Sequence, residues 1–292
     1  FDLFHARMPD GEPVRAPEEL SQKVIDRMDP ASQRAINAAR EGAFVADAIT
    51  RTLDASRFRT LALDLRAWAK ARGVYGNAFG YPGGITWTLL ALWSVQRHPS
   101  AASASVEALR AHFFEALDTH DWSEPVTVRD DLPVPDETKH DRLRVMTPSA
   151  PSHNSARNLT RSTAGVLREE VRRARKILAR DPSAWSEATE PLTSGDSRTL
   201  TLTASVAQSG DLKALTGWLE GRMVTVILSL ERESRVTARP WPRWDIAADA
   251  THATLRIELR AEPAGDPAAT VRAVLRDALD GWADRPEGAH VE

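Results

Sequence analysis

The stretch GVYGNAFGYPGGITWTLL, residues 73–90, sets a phenol (Tyr75), a carboxamide (Asn77) and two adjacent glycines (Gly83, Gly84) directly ahead of an apolar run. Hydrogen-bonding side chains and bare backbone at the start of a buried helix suit a nucleotide, because the first turn of a helix leaves N–H groups free and favours negative charge. The same residues also suit a plain turn and helix entry, with Tyr75 packing, Asn77 shaping the turn, and Trp87 and Trp93 filling a core. Residue types and spacing leave both readings open.

Other chemistries find less support. There is no G-x-G-x-x-G and no G-K-[ST], so Rossmann and Walker phosphate sites are not indicated, and no G-x-S-x-G elbow carries a serine nucleophile. The absence of cysteine excludes disulfides, thiolate nucleophiles and Cys-ligated zinc. Eight histidines are scattered without an H-E-x-x-H pair. Phosphoryl or nucleotidyl transfer with two divalent cations needs several carboxylates, yet the chain has neither D-x-D nor a Gly-Ser dipeptide. Its one acid in a suggestive place is Asp2, in the strand-like FDLFHAR, where Phe1 and Leu3 face the other way. An acid on a short edge strand is ordinarily just solvated.

The elements that must hold the 73–90 segment are legible from periodicity. SRFRTLALDLRAWAKARG predicts a helix capped by Ser56, buried through Phe58, Leu61, Leu65 and Trp68, and stopped at Gly73. Residues 85–95 are apolar nearly all round, as a buried helix would be. A third helix, with a proline start at Pro99, follows the Val106, Leu109, Phe113, Leu117 stripe. Residues 123–158 read as a long ordered loop, then an arginine-rich helix begins in LTRSTAGVLREEVRRARKILAR, and EPLTSGDS marks a boundary.

Beyond that boundary the period changes. Leu200, Leu202, Ala204 and Val206 alternate as a strand, 210–232 predicts one helix, and Leu255, Ile257 and Leu259 alternate again. Val271 to Trp282 fits a last helix, and weaker strands at 235–239 and 288–291 complete βαββαβ, a ferredoxin-like arrangement shared with RNA-recognition modules. The aromatic residues of a base-stacking sheet are missing from 199–207 and 253–260, and PWPRW at 240–244 reads as a loop plug on that sandwich.

Bulk properties set the frame. The formal charge of −3 argues against a broad basic surface as the main hold on nucleic acid, so any such contact is local. No run of about 18 apolar residues and no signal peptide is present, which predicts no membrane segment and a cytoplasmic address. Basic residues are nearly all arginine, the skew expected of a GC-rich bacterial gene. The chain starts with Phe rather than Met, as a fragment or processed product would.

FDLFHAR, RAINAAR with VADAI, FRTLALDLRAWAKARGVYGNAFGYPGGITWTLLAL and HNSARNLTRST occur in the order and at nearly the spacing found in eukaryotic-type poly(A) polymerases. The chain resembles that family from residue 1 to about 190, and its later part is similar in layout to the family's RNA-binding domain. The resemblance implies an α+β chain in three parts: residues 1–15 as the final strand of a nucleotidyltransferase sheet, 16–192 as an all-α central domain, and 196–292 as the RNA-binding-like sandwich.

The resemblance also implies roles. Asp2 matches the third metal-binding carboxylate of a Mg2+ (or Mn2+) pair, whereas the Gly-Ser and D-x-D of the preceding domain are absent. Tyr75 and Asn77 match residues that meet the base and sugar of ATP, Gly83, Gly84 and Ile85 match the turn against which the nucleotide packs, and Asn37 matches an asparagine near the reacting nucleotides. Arg66 stands where the family has a triphosphate-contacting lysine, and Lys70, one turn on, is a second candidate. The arginine-rich helix reads first as a solvated face, whose Arg172, Arg173, Arg175 and Lys176 would also add sequence-independent contact with RNA phosphates; the resemblance implies an RNA 3′ end and ATP as partners and an upstream catalytic domain in the same polypeptide. The expected chemistry is addition of AMP to RNA, with this chain alone inactive. The rival expectations are a non-catalytic RNA-binding or scaffolding module and an RNA-repair nucleotidyltransferase using another nucleoside triphosphate.

Overall fold

The computed structural model describes residues 5–192 and 198–292. Asp2 and most of the boundary expected at 190–197 therefore lie outside the described residues, and residues 5–15, in which the end of a strand was expected, carry no regular strand.

The first part is helical: α1 (Gln22–Ile25), α2 (Pro30–Thr52), α3 (Ala55–Ala71), α4 (Gly84–Arg97), α5 (Val106–Thr119), α6 (Arg161–Arg180) and α7 (Trp185–Thr189). Its centre is aromatic. Trp68 of α3 meets Trp87 of α4 edge-on at 5.8 Å and Phe114 of α5 at 4.7 Å, geometry in which the positive ring edge faces the negative π-face. Trp87 and Trp93 are both buried, as expected of core residues.

Two helix starts differ from the sequence reading. Asp54, not Ser56, caps α3: its Oδ1 accepts from the backbone N–H of Ser56 and Arg57, and an ionised carboxylate there also complements the helix dipole. The third helix begins at Val106 under a Ser105 cap rather than at Pro99. Residues 120–160 form the expected long ordered loop, pinned by isolated bridges and by buried Asn154, whose amide joins Val145, Leu143 and Asp141.

The second part is an antiparallel sheet with helices on one face. Its elements are β1 (Arg198–Ser205), α8 (Leu212–Glu220), α9 (Met223–Ser229), β2 (Thr237–Pro240), β3 (Asp245–Ile246), β4 (His252–Arg260), α10 (Pro267–Asp280) and β5 (His290–Val291). The order β2-β4-β1-β5, with β3 added against β4, is that of a βαββαβ sandwich. Leu200 faces Ile257 and Leu202 faces Leu255 across β1 and β4, so the period-2 alternation puts Leu202, Ala204, Leu255 and Ile257 in the core. The single helix expected at 210–232 is broken near Gly221, and a π-helical turn over Leu230–Ser234 follows α9. The break lets Leu219, Met223 and Ile227 all reach the core.

The helical and sheet parts share one buried apolar cluster. A polar lock runs through their junction. Arg72 at the end of α3 donates from Nε to Glu170 Oε2 (2.8 Å), and Arg239 of β2 donates from Nη2 to Glu170 Oε1 (3.0 Å) and to the Arg72 carbonyl (2.8 Å). All three side chains are buried. On the rim, Arg260 pairs with Glu169, and in the buried junction the Ala238 N–H donates to Ser162 Oγ at 3.0 Å.

Candidate nucleotide site

Burying Phe58, Leu61, Leu65 and Trp68 turns the opposite side of α3, with Arg66 and Lys70, outward. The helix ends in a full Schellman motif: Val74 N–H reaches the Ala69 carbonyl at 2.8 Å and Gly73 N–H the Lys70 carbonyl at 3.2 Å, with Gly73 left-handed at φ +65°. That reversal throws the chain across the end of α3 and brings Tyr75 back over Arg66 and Lys70.

The next residues form a compact turn. Gly76, at φ +122°, donates to the Pro82 carbonyl and accepts from Phe79 and Tyr81, and Asn77–Phe79 is one turn of 3-10 helix. Phe79 and Tyr81 anchor the underside in the core, while Tyr75 stays half-buried and Asn77 exposed. Asn158 Nδ2 donates to the Asn77 carbonyl at 3.1 Å, tying the turn to the start of α6. Burial holds the Tyr81 phenol far above its ordinary titration range, and its hydroxyl has no hydrogen-bond partner, so Tyr81 packs rather than reacts.

α4 then begins at Gly84 without a side-chain cap, since Gly83 has no side chain to supply one. Its leading N–H groups and the positive end of its dipole face the cluster on α3. Arg66 Nη2 donates to Tyr75 Oη at 3.2 Å, and Lys70 Nζ stands 5.1 Å from the Tyr75 ring centre. A Cβ on Gly84 would lie 3.2 Å from Tyr75 Oη and 3.3 Å from Arg66 Nη2, and one on Gly83 would lie 3.5 Å from Asn77 Cβ. Glycine at both positions keeps the helix mouth in direct reach of these side chains. Ile85, 40% exposed on the first turn, offers an apolar surface at the same mouth.

The structure thus joins Arg66, Lys70, Tyr75, Asn77, Gly83, Gly84 and Ile85 in one place: two cations, a phenol, an amide and an uncapped helix start. Among the described residues neither Arg66 nor Lys70 pairs with a carboxylate, so both charges are available to an anionic ligand. Asn37 stands on α2, half-buried, its Oδ1 enclosed without a hydrogen-bond partner among the described residues. The four basic residues of α6 divide. Arg173 supports the backbone of α7 through the Glu187 and Ala188 carbonyls, Arg172 and Arg175 share Asp118, and Lys176 is exposed. Among the described residues no group of three or more His, Asp or Glu converges in a way that could hold a metal ion.

Sequence reasoning missed what lies behind the turn. PWPRW does not merely plug the sandwich: the Trp241 indole rests on Gly73, where a Cβ would lie 2.5 Å from the ring, and Pro242 stands beside Gly76. α9 packs against the Asn77–Phe79 turn. The sheet part therefore grips the backbone of residues 72–77 through Arg239, Trp241, Pro242 and α9. The available signal was the pairing of a glycine demanding a left-handed backbone with a Trp-Pro segment far along the chain, and periodicity cannot join two such distant points.

Residues 57–188 match the family described as the poly(A) polymerase central domain. The chain is 29% identical over 260 residues to nuclear poly(A) polymerase 1 of Arabidopsis thaliana, covering 81% of this chain and 34% of that protein. It is 31% identical over 238 residues to nuclear poly(A) polymerase 4 of the same plant, covering 75% and 31%. It is 29% identical over 252 residues to poly(A) polymerase PAPalpha of Candida albicans, covering 79% and 43%. The chain spans about a third of the length of the plant relatives.

Proposed function

We propose, from the match of residues 57–188 to the poly(A) polymerase central domain, that this chain supplies the nucleotide-holding half of an enzyme that adds AMP from ATP to an RNA 3′ end. The observation that carries the reading is the Arg66–Tyr75–Lys70 cluster facing the uncapped start of α4 across Gly84. In this reading the Tyr75 phenol and Asn77 amide orient base and sugar, and Ile85 packs the base. Arg66 and Lys70 neutralise the triphosphate beside the helix dipole. Arg66 brings a fork of donors where a lysine would bring a point charge, so it suits two phosphate oxygens at once.

Residues 16–192 and 196–292 act as the central and RNA-binding-like domains, and the RNA runs between the nucleotide and the exposed basic side of α6. A divalent ion belongs to the chemistry of nucleotidyl transfer, but no group of His, Asp or Glu among the described residues fits a resident one. Attack of the RNA 3′-hydroxyl on the α-phosphate needs carboxylates from a nucleotidyltransferase domain outside this sequence. No helix among the described residues is long and apolar enough to cross a membrane, and a bacterial cytoplasmic setting completes the proposal.

The test is direct binding of ATP to the 292-residue chain by calorimetry, with Tyr75→Ala as the control. Binding that disappears in the variant supports the reading; equal binding by both removes it. ATP-dependent extension of a labelled RNA by this chain alone would contradict the role given to a separate catalytic domain.

A further inference from the structure

Tyr75 lies between two glycines with positive φ, Gly73 at +65° and Gly76 at +122°. Glycine has more backbone freedom than any other residue, so a side chain set between two of them is poorly fixed by its own chain. Among the described residues the Tyr75 backbone makes no hydrogen bond to other backbone. We infer that Trp241 of the sheet part is a positioning residue of the nucleotide site: its indole, packed on Gly73, holds the backbone that aims Tyr75. That Tyr75 has a ligand to meet comes from the proposed function, on which this inference rests.

The segment leaving β2 touches the segment leaving α3 at three points. Arg239 Nη2 donates to the Arg72 carbonyl at 2.8 Å. Three atoms in the benzene half of the Trp241 indole lie within 3.2 Å of where a Gly73 Cβ would be, so ring and bare backbone are in direct contact. Pro242 Cβ stands 3.9 Å from the corresponding point on Gly76. Both loose positions that flank Tyr75 therefore meet the Trp-Pro pair. Trp241 is itself fixed, since its N–H donates to the Arg256 carbonyl of β4 at 2.8 Å and its carbonyl accepts from the Arg243 N–H at 2.7 Å. The support runs from β4 through Trp241 and Gly73 to Tyr75, and from its phenol to Arg66 at 3.2 Å.

Other contacts hold the rest of the site. Phe79 and Tyr81 in the core and Asn158 on the Asn77 carbonyl fix the far half of the turn. Arg66 and Lys70 ride on α3, and the uncapped start belongs to α4, two helices seated by Leu61, Leu65, Trp68 and Trp87. The indole thus acts on the ring offered to base and sugar, not on the groups offered to the triphosphate. A ring already in place binds without the cost of ordering it, and a loosened ring pays that cost on every binding event.

The test measures ATP and inorganic tripolyphosphate binding by calorimetry in the 292-residue chain. The variants are Trp241→Ala, Trp241→Phe and, as a stability control, Leu215→Ala, which truncates a buried side chain of α8. Trp241→Ala is expected to weaken ATP binding about fivefold, the scale of a mutation that acts through its neighbours, and to leave tripolyphosphate binding unchanged. Trp241→Phe keeps an aromatic face for Gly73 and should recover most of the loss. Leu215→Ala, destabilised but with its indole in place, should bind ATP as the wild type does. Hydrogen exchange over residues 74–82 should quicken in Trp241→Ala while that of α4 holds. Wild-type ATP affinity in a folded Trp241→Ala variant overturns the inference. So does an equal loss for tripolyphosphate, or an equal loss of ATP binding in Leu215→Ala. If Trp241→Ala does not fold, Trp241→Leu takes its place with the same outcomes. If the wild-type chain does not bind ATP, the proposed function falls and the exchange of 74–82 decides alone: faster exchange keeps the indole as the support of the turn, and unchanged exchange removes it.

Discussion

Arg66 donates to the phenol of Tyr75 at 3.2 Å across the mouth of α4, so the side chain proposed for the triphosphate is held by the ring proposed for the base. Removing either end of that contact has different consequences. Arg66→Ala is expected to weaken ATP binding about tenfold, close to 1.4 kcal/mol, with little change in unfolding midpoint. Tyr75→Phe keeps the ring and loses only the anchor, so a smaller loss is expected. Titration calorimetry on the two variants checks the order, and a larger loss in Tyr75→Phe than in Arg66→Ala contradicts the assignment.

Gly84→Ala separates helix stability from site geometry. Gly84 is the first residue of α4, outside the helix interior where alanine's advantage over glycine applies, so the thermal midpoint should change little. The added methyl would press on Tyr75 Oη and Arg66 Nη2, each already within 3.3 Å, so ATP affinity should fall several-fold. A variant that is both destabilised and unchanged in binding contradicts this account.

Gly73→Ala strikes the junction. It places a side chain on a left-handed backbone and within 2.5 Å of the Trp241 ring. Backbone strain and overpacking together predict a loss of about 2–4 kcal/mol in urea unfolding. In a double-mutant cycle, Trp241→Ala should recover the overpacking part and leave the backbone part. Strict additivity of the two single losses would mean that the indole does not press on residue 73.

Glu170→Ala leaves the Arg72 and Arg239 guanidiniums buried without their shared carboxylate. Breaking a buried pair in this way costs about 3–5 kcal/mol, and denaturant unfolding should show a loss of that size. A loss under about 1 kcal/mol would indicate that water reaches the junction.

Glu41 supplies a pH dependence. Burial pushes its carboxyl above the ordinary glutamate value of 4.5, against the lowering effect of its hydrogen bond from Ser149. With the folded-state pKa raised, the contribution to stability is complete below 4.5 and is lost as pH rises through the folded value. Glu41→Gln, which stays neutral, should therefore stabilise the protein at pH 7 and bring little change near pH 4. Equal effects at both values, read from urea midpoints, would dismiss the shift.

Much of this architecture was readable from residue order because its signals are local. The Phe58, Leu61, Leu65, Trp68 stripe defines α3, and the alternation of Leu255, Ile257 and Leu259 defines β4. Local competition explains the misreadings: Asp54 takes the cap from Ser56, and Ser105 starts a helix that Pro99 does not. The turn at residues 73–84 was legible as a cluster of polar side chains and glycines because its residues sit within one short segment. The grip of Arg239 and Trp241 on Arg72 and Gly73 was not, because it joins points 167 residues apart in the case of Arg239 and depends on shape rather than period.

The carboxylate shared by Arg72 and Arg239 has a consequence for how such a chain can change over generations. Arg72 and Glu170 lie in the helical part and Arg239 in the sheet part; either arginine can be exchanged and leave a balanced pair, but exchange of Glu170 alone strands two charges away from water. Glu170 is therefore the position of the three that tolerates least change, because it alone answers to both parts. The segment proposed to hold the nucleotide takes its shape from both parts.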